Sequence, residues 1–258
     1  MRLGMIALWL RAAKNDPERR STAIVYATGI GIAQVYWVAF LLLQPLSPAI
    51  GYAMFGIGIL IELAVPVFAE RKGNTPWHRH HIIERYGLLN IIVLGETLLA
   101  GGMALQHIAD GSTNIAFVHI ALSALVIVFS MWWMYFSQEE HLENNDLSRA
   151  LTWGYGHFVI FASGAAVGAG FAVLVDVIAG HAKVSLLVGD YAVGIPVAIY
   201  MLGLWFVRDR FCLKGNARFV LPIFAVLVLL APFTPVALEG IAVMTALSVI
   251  VRNYLAKA

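Results

Sequence analysis

The sequence predicts an all-α fold: a polytopic transmembrane helical bundle forming a single integral membrane domain over residues 1–258. Three observations predict it. The chain is 60% hydrophobic, with a mean hydropathy of +0.81. Only 12% of its residues are charged, about half the share usual in soluble proteins. The apolar residues fall in repeated runs of bilayer length, and in lipid an open-chain span must be a helix, which satisfies its own backbone. A net charge of +2 says little in such a chain, where the placement of charge matters more than its sum. Nothing points to nucleic acid. A single cysteine, Cys212, excludes an intramolecular disulfide.

About eight spans are expected, at 20–43, 48–69, 82–106, 114–137, 149–178, 185–207, 217–233 and 236–254, preceded by an N-terminal helical stub. The stub, Met1–Leu10, is apolar but too short to cross, and Arg11 and Lys14 follow it. It has no small-residue cleavage site, so a signal peptide is not expected. Two readings of it stand: the tail of a spanning helix whose beginning is absent, and a short interfacial helix. The first two spans meet at Gln44-Pro45 and Ser47-Pro48, a tight turn. Arg71–Pro76 is a polar loop before the third span. Asp110-Gly111-Ser112 separates the third span from the fourth, and the acidic stretch 138–146 separates the fourth from the fifth. Lys214-Gly215-Asn216 precedes the seventh span, and Pro232 and Pro235 flank the last connection.

Positive charge sets the orientation. With the first loop in the cytoplasm, every Lys and Arg but Lys183 falls inside, so a cytoplasmic (inner) membrane location with both ends of this chain cytoplasmic is expected. A faint parallel repeat aligns Tyr86-Gly87 with Tyr155-Gly156, Ile91 with Ile160 and Gly95 with Gly164.

The third span carries the sharpest functional signal. Glu84 and Arg85 stand at its inner end, and Glu96 lies about 17 Å deeper at 1.5 Å per residue. An acid at that depth costs roughly 2.5–3.5 kcal/mol to insert. Arg85 and Glu96 are nearly three full turns apart and share a face, which is expected to look into the bundle. Glu96 then reads as a cation or proton site, or as a buried acid locking helix packing. Glu62, in the inner third of the second span, is a second intramembrane acid.

Upstream, His80, His81 and Glu84 are spaced loosely as metal ligands, and His81 and Glu84 alternatively pair at the helix start. The fourth span ends in Trp132-Trp133-Met134-Tyr135-Phe136, which reads as an interfacial aromatic belt, or as a belt with one tryptophan turned inward as a cavity wall. His157, near the inner end of the fifth span, reads as a proton-handling or ligand-binding residue, or as a neutral histidine bonded to Tyr or Glu. Depth alone places His157, Trp133, Tyr135, Glu84 and Arg85 in one layer. Gly164 and Gly168 form a GxxxG packing signal, and Gly51, Gly56 and Gly58 suggest the same in the second span.

These residues carry a resemblance. His81-x-x-Glu84-Arg85-x-Gly87-Leu88, then Ile91-Ile92-x-Leu94-Gly95-Glu96, is similar to the hallmark of the bacterial low temperature requirement A (LtrA) family. Trp132-Trp133-x-Tyr135-Phe136 and Tyr155-x-His157 resemble its next two blocks in order and spacing. Arg11-Ala12-Ala13-x-x-Asp16-Pro17-Glu18-Arg19-Arg20 resembles an upstream helix connection. The resemblance implies a multi-pass membrane protein linked by name to growth in the cold, N-terminally short here. It implies no agreed reaction or substrate.

The leading functional expectation is a transport-related bundle. Glu96, Arg85 and His157 would line a cytoplasm-facing cavity for a cation, a proton-coupled small solute or a lipid headgroup. The alternatives are an integral membrane enzyme using His81, Glu84 and His157 at the cytoplasmic leaflet, and a non-catalytic stress or assembly factor. There is no Ser or Cys nucleophile constellation and no cofactor loop. No cofactor is therefore expected, and the enzymatic reading ranks lower.

Overall fold

In the computed structural model, residues 1–76, 78–109, 115–138 and 147–257 are described, without the side chains of 100, 101, 103–109 and 115–117. Trp77, the turn at 110–112 and the acidic stretch at 139–146 lie outside the described residues. Among the described residues every regular element is helical. Seven helical segments among the described residues, counting adjoining π and 3-10 turns, are long and apolar enough to cross a membrane. The remaining long helix, α4 (Arg79–Ala109), matches the third expected span but carries Glu84, Arg85 and Glu96 along its length. The chain is a multi-pass membrane protein. It falls into two compact units, Met1–His78 and Arg79–Ala258.

The first unit holds α1 (Arg2–Asn15), α2 (Arg20–Leu42) and α3 (Pro48–Glu70). The stub residues thus belong to a helix of 14 residues. Asp16 holds the α1–α2 turn by accepting from the Arg19 backbone N–H (3.2 Å) and side chain (3.1 Å). The hydrogen bond from the Arg19 side chain holds the Asp16 carboxyl below the usual carboxylate range. Trp9 stacks on Tyr26 at 4.1 Å and docks α1 on α2. Glu62 accepts from Trp37 Nε1 (2.7 Å) and from Arg2. Gly58 lies directly against the Trp37 ring, whereas Gly51 and Gly56 face open space, so only Gly58 of these three serves close packing. Proline at the first position starts α3, where its missing N–H costs nothing.

The second unit holds α4, α5 (Ile115–Phe136), α6 (Leu147–Ile178), α7 (Leu186–Leu204), α8 (Arg210–Cys212), α9 (Val220–Leu230) and α10 (Ala237–Lys257). A π-helical turn, Trp205–Asp209, joins α7 to α8, and 3-10 turns flank α9. The expected sixth span therefore runs on through 212, and the seventh is a shorter α-helix between 3-10 turns. Pro232 sits in the second of these turns. α6 and α7 form the most extensive helix pair; α4 packs on α5 and α6, and α10 on α5 and α9. The α6–α7 seam is built from small residues: Gly170, Gly189 and Gly203 each bring backbone against a neighbouring side chain or main chain. The positions matched by the faint repeat differ in environment, since Ile160 and Gly164 are buried while Ile91 and Gly95 are exposed.

Candidate functional site

His157 sits on the face of α6 that also carries Trp153, Ile160, Gly164 and Val167, the 4-3-4-3 spacing of a buried helix stripe. Its ring is fully buried. Nδ1 donates to the Trp153 carbonyl one turn back, at 2.7 Å. A carbonyl only accepts, so the proton is on Nδ1. Nε2, the acceptor in the neutral ring, lies 3.1 Å from the Tyr135 hydroxyl of α5, which donates to it. Tyr86 of α4 meets the ring edge-on at 4.9 Å, with Trp153 at 4.2 Å and Phe161 at 5.6 Å. Three helices thus enclose one imidazole in aromatic walls.

Beside it lies a buried charge cluster. Arg208 and Asp209 belong to the π turn, and Arg252 to α10; all three are almost completely buried. Arg208 donates to the Tyr135 carbonyl at 2.5 Å, the Met134 carbonyl at 2.8 Å and Asp209 Oδ1 at 3.2 Å. Arg252 donates to Asp209 Oδ1 at 2.6 Å, the Met134 carbonyl at 2.8 Å and Ser137 Oγ at 3.3 Å. Met134 and Tyr135 are in the last turn of α5, whose carbonyls have no donor within their own helix. The two guanidiniums supply those donors. Two cations against one carboxylate leave an excess of +1, and the α5 C-terminus offsets about half a charge of it. The wide π turn allows two consecutive residues, Arg208 and Asp209, to point into the core together. Asp209 Oδ2 is buried with no hydrogen-bond partner among the described residues.

A second polar group lies midway along the bundle. Asn90 Nδ2 donates to the Tyr200 hydroxyl at 3.1 Å, and that hydroxyl lies 3.3 Å from both the Asn90 Oδ1 and Met131 carbonyl acceptors. Thr97 bonds the Gly164 carbonyl at 2.8 Å.

Of the residues singled out in the sequence, Tyr135 and His157 are brought together. His81 and Glu84 also approach, at 3.6 Å, but both are exposed and His80 stands exposed beside them. Among the described residues, no group of three or more His, Cys, Asp or Glu is placed to hold a metal ion. Arg85 and Glu96 share a face as expected, but that face is exposed. The face α4 turns inward is Gly87, Asn90, Leu94 and Thr97, at 3-4-3 spacing. Tyr86, not Arg85, is the residue α4 contributes beside His157. No hydrogen bond or ion pair among the described residues joins Arg85 or Glu96 to His157. Trp132 and Trp133 are both exposed, the arrangement of a belt, and Tyr135 takes the inward position. Glu62 belongs to the first unit, tied to Trp37 and Arg2.

The sequence reading missed Asn90, Tyr200, Arg208, Asp209 and Arg252. Asn90 was detectable as a polar residue inside an apolar span. Arg208 and Arg252 carry no such mark, because charge near a span end satisfies the positive-inside pattern whether it is solvated or buried.

Curated proteins and solved structures yield no match to this chain. The family model of the bacterial low temperature requirement A protein (LtrA) matches residues 1–253. With nearly the whole chain covered, this multi-pass helical protein belongs to the LtrA family.

Proposed function

We propose that this protein is transport-related, carrying protons across the bundle of its second unit, alone or coupled to a small solute, in the cytoplasmic (inner) membrane. The observation that carries this reading is the His157–Tyr135 pair. A titratable ring is held between one fixed acceptor and one hydroxyl, inside the membrane span and next to a buried Arg–Asp–Arg cluster. Ionisable groups at such positions are costly, and proton relays are among the roles that repay them. Protonation of Nε2 turns it from acceptor to donor and requires the Tyr135 hydroxyl to turn away, so gaining one proton reorients one neighbour. Both ends of this chain are cytoplasmic in this reading, in line with the distribution of Lys and Arg.

The test is proton flux into vesicles reconstituted with purified protein, with a pH dye inside and an imposed potassium diffusion potential. His157→Asn is expected to abolish flux above that of empty vesicles at an unchanged melting temperature. Loss of flux on Glu96→Gln, with His157→Asn still active, would move the site to the exposed face of α4 and overturn this assignment.

A second reading is favoured by the complete burial of His157, Arg208 and Arg252. In it the polar layer only fixes helix packing, as in a non-catalytic membrane assembly or stress factor. That reading predicts that His157→Asn lowers the amount of folded protein in step with any loss of activity.

A further inference from the structure

The opposite end of the second unit holds a different kind of site. Asp190, on α7, is about 27 Å along the helix from Arg208 at 1.5 Å per residue. Between the starts of α5, α7 and α10 and the end of α6 lies a cavity of about 410 Å³. That volume falls in the range of small-molecule pockets, roughly 300–1,000 Å³. Its walls are mostly apolar, with Ile120, Leu174, Ile178, Leu186, Leu187 and Leu238 among them. Its polar groups are two carboxylates, Asp190 and Glu239, together with His119 and Thr234. Glu239 is engaged: His119 Nδ1 lies 2.6 Å from its Oε1. Asp190 is not. It is 6% exposed, lines the cavity, and has no hydrogen-bond or ion-pair partner among the described residues.

We infer that this cavity binds a small primary ammonium ion with an apolar body, using Asp190 as the counter-charge. Two observations converge on that chemistry. With Asp190 ionised, the cavity carries negative charge whatever the state of the His119–Glu239 pair, because even a charged imidazole balances only one of the two carboxylates. A buried carboxylate without a partner is costly, and a cation that donates hydrogen bonds relieves that cost directly. The apolar walls then select the rest of the ligand. A bare metal ion fits poorly: no group of three or more metal-ligating side chains exists among the described residues, and aliphatic walls offer it nothing. This binding does not depend on the proton pathway proposed for the opposite end.

Calorimetric titration of the purified full chain in lipid nanodiscs tests the inference. The probes are phenethylammonium chloride, its neutral isostere 2-phenylethanol, and sodium chloride alone. The ammonium is expected to bind saturably and at least tenfold more tightly than the alcohol, with no comparable saturation by sodium. Asp190→Asn is expected to weaken ammonium binding at least tenfold at an unchanged melting temperature. Ile178→Trp fills the apolar part of the cavity, leaves the carboxylate in place and is also expected to lose binding; it decides the matter if Asp190→Asn does not fold. Equal binding of alcohol and ammonium, saturation by sodium alone, or undiminished binding by the folded variants overturns the inference.

Discussion

Arg252 is the residue on which the His157 end of the second unit turns. One guanidinium reaches Asp209, the Met134 carbonyl and Ser137. Planar, forked donors make that possible, and a lysine ammonium cannot reproduce it. Removing one member of a buried pair leaves the other charge stranded, at a cost of about 3–5 kcal/mol. Asp209→Asn strands both arginines and is therefore expected to lower stability by about that much in denaturant titration. Arg252→Met in the same background should recover part of the loss, because it removes one of the two stranded cations. Additive losses from the two substitutions would show that the pair is not coupled. This cluster was hidden in the sequence for a definite reason: its arginines lie where loop charges also lie. The His157–Tyr135 contact was more legible, since depth along two antiparallel spans put the residues in one layer.

At the scale of elements, the α6–α7 seam has its tightest point at Gly170. A Cβ there would sit 2.1 Å from the Ala192 carbonyl oxygen. Four residues after Ala192 comes Pro196, inside α7, which has no N–H to give that carbonyl. A Cα hydrogen of Gly170 points at it instead, a weak contact that only a glycine permits at this distance. Gly170→Ala is expected to cost about 1–3 kcal/mol through forced separation of the helices. Gly95→Ala, with nothing within 4 Å in a helix interior, is expected to leave stability unchanged or raise it by up to about 1 kcal/mol. Melting temperatures of the two variants in one detergent check the contrast; equal shifts would contradict it. The GxxxG signal did mark α6 as a close-packing helix, and Gly164 does sit against Val93 of α4. The closest approach lies outside that motif, because the proline that creates it is on another helix.

For the whole molecule, spans were the most legible feature, since bilayer length and apolar composition define them without tertiary detail. Their ends were less so: α4 starts at Arg79 and α7 continues through a π turn to Cys212. The direction each span faces was least legible. Arg85 and Glu96 do share one face, but periodicity alone does not say which face is inward, and the 3-4-3 row through Asn90 and Thr97 takes that place. Orientation in the membrane is open to direct assay. Reporter fusions are expected to place residues 71–76, 213–216 and the chain's C-terminal end in the cytoplasm, and 44–47 and 181–184 on the opposite side. A swapped pattern would reverse the assignment of the polar layer to the cytoplasmic end.

The most direct measurement is proton flux and melting temperature recorded on the same preparations of the unaltered chain and of Tyr135→Phe. That change deletes a single hydroxyl and one neutral hydrogen bond, about 1 kcal/mol of stability. The account predicts that the unaltered chain acidifies vesicles faster than empty controls, and that Tyr135→Phe slows this at least tenfold while melting within a few degrees of it. No flux from the unaltered chain, or full flux from Tyr135→Phe, would contradict it.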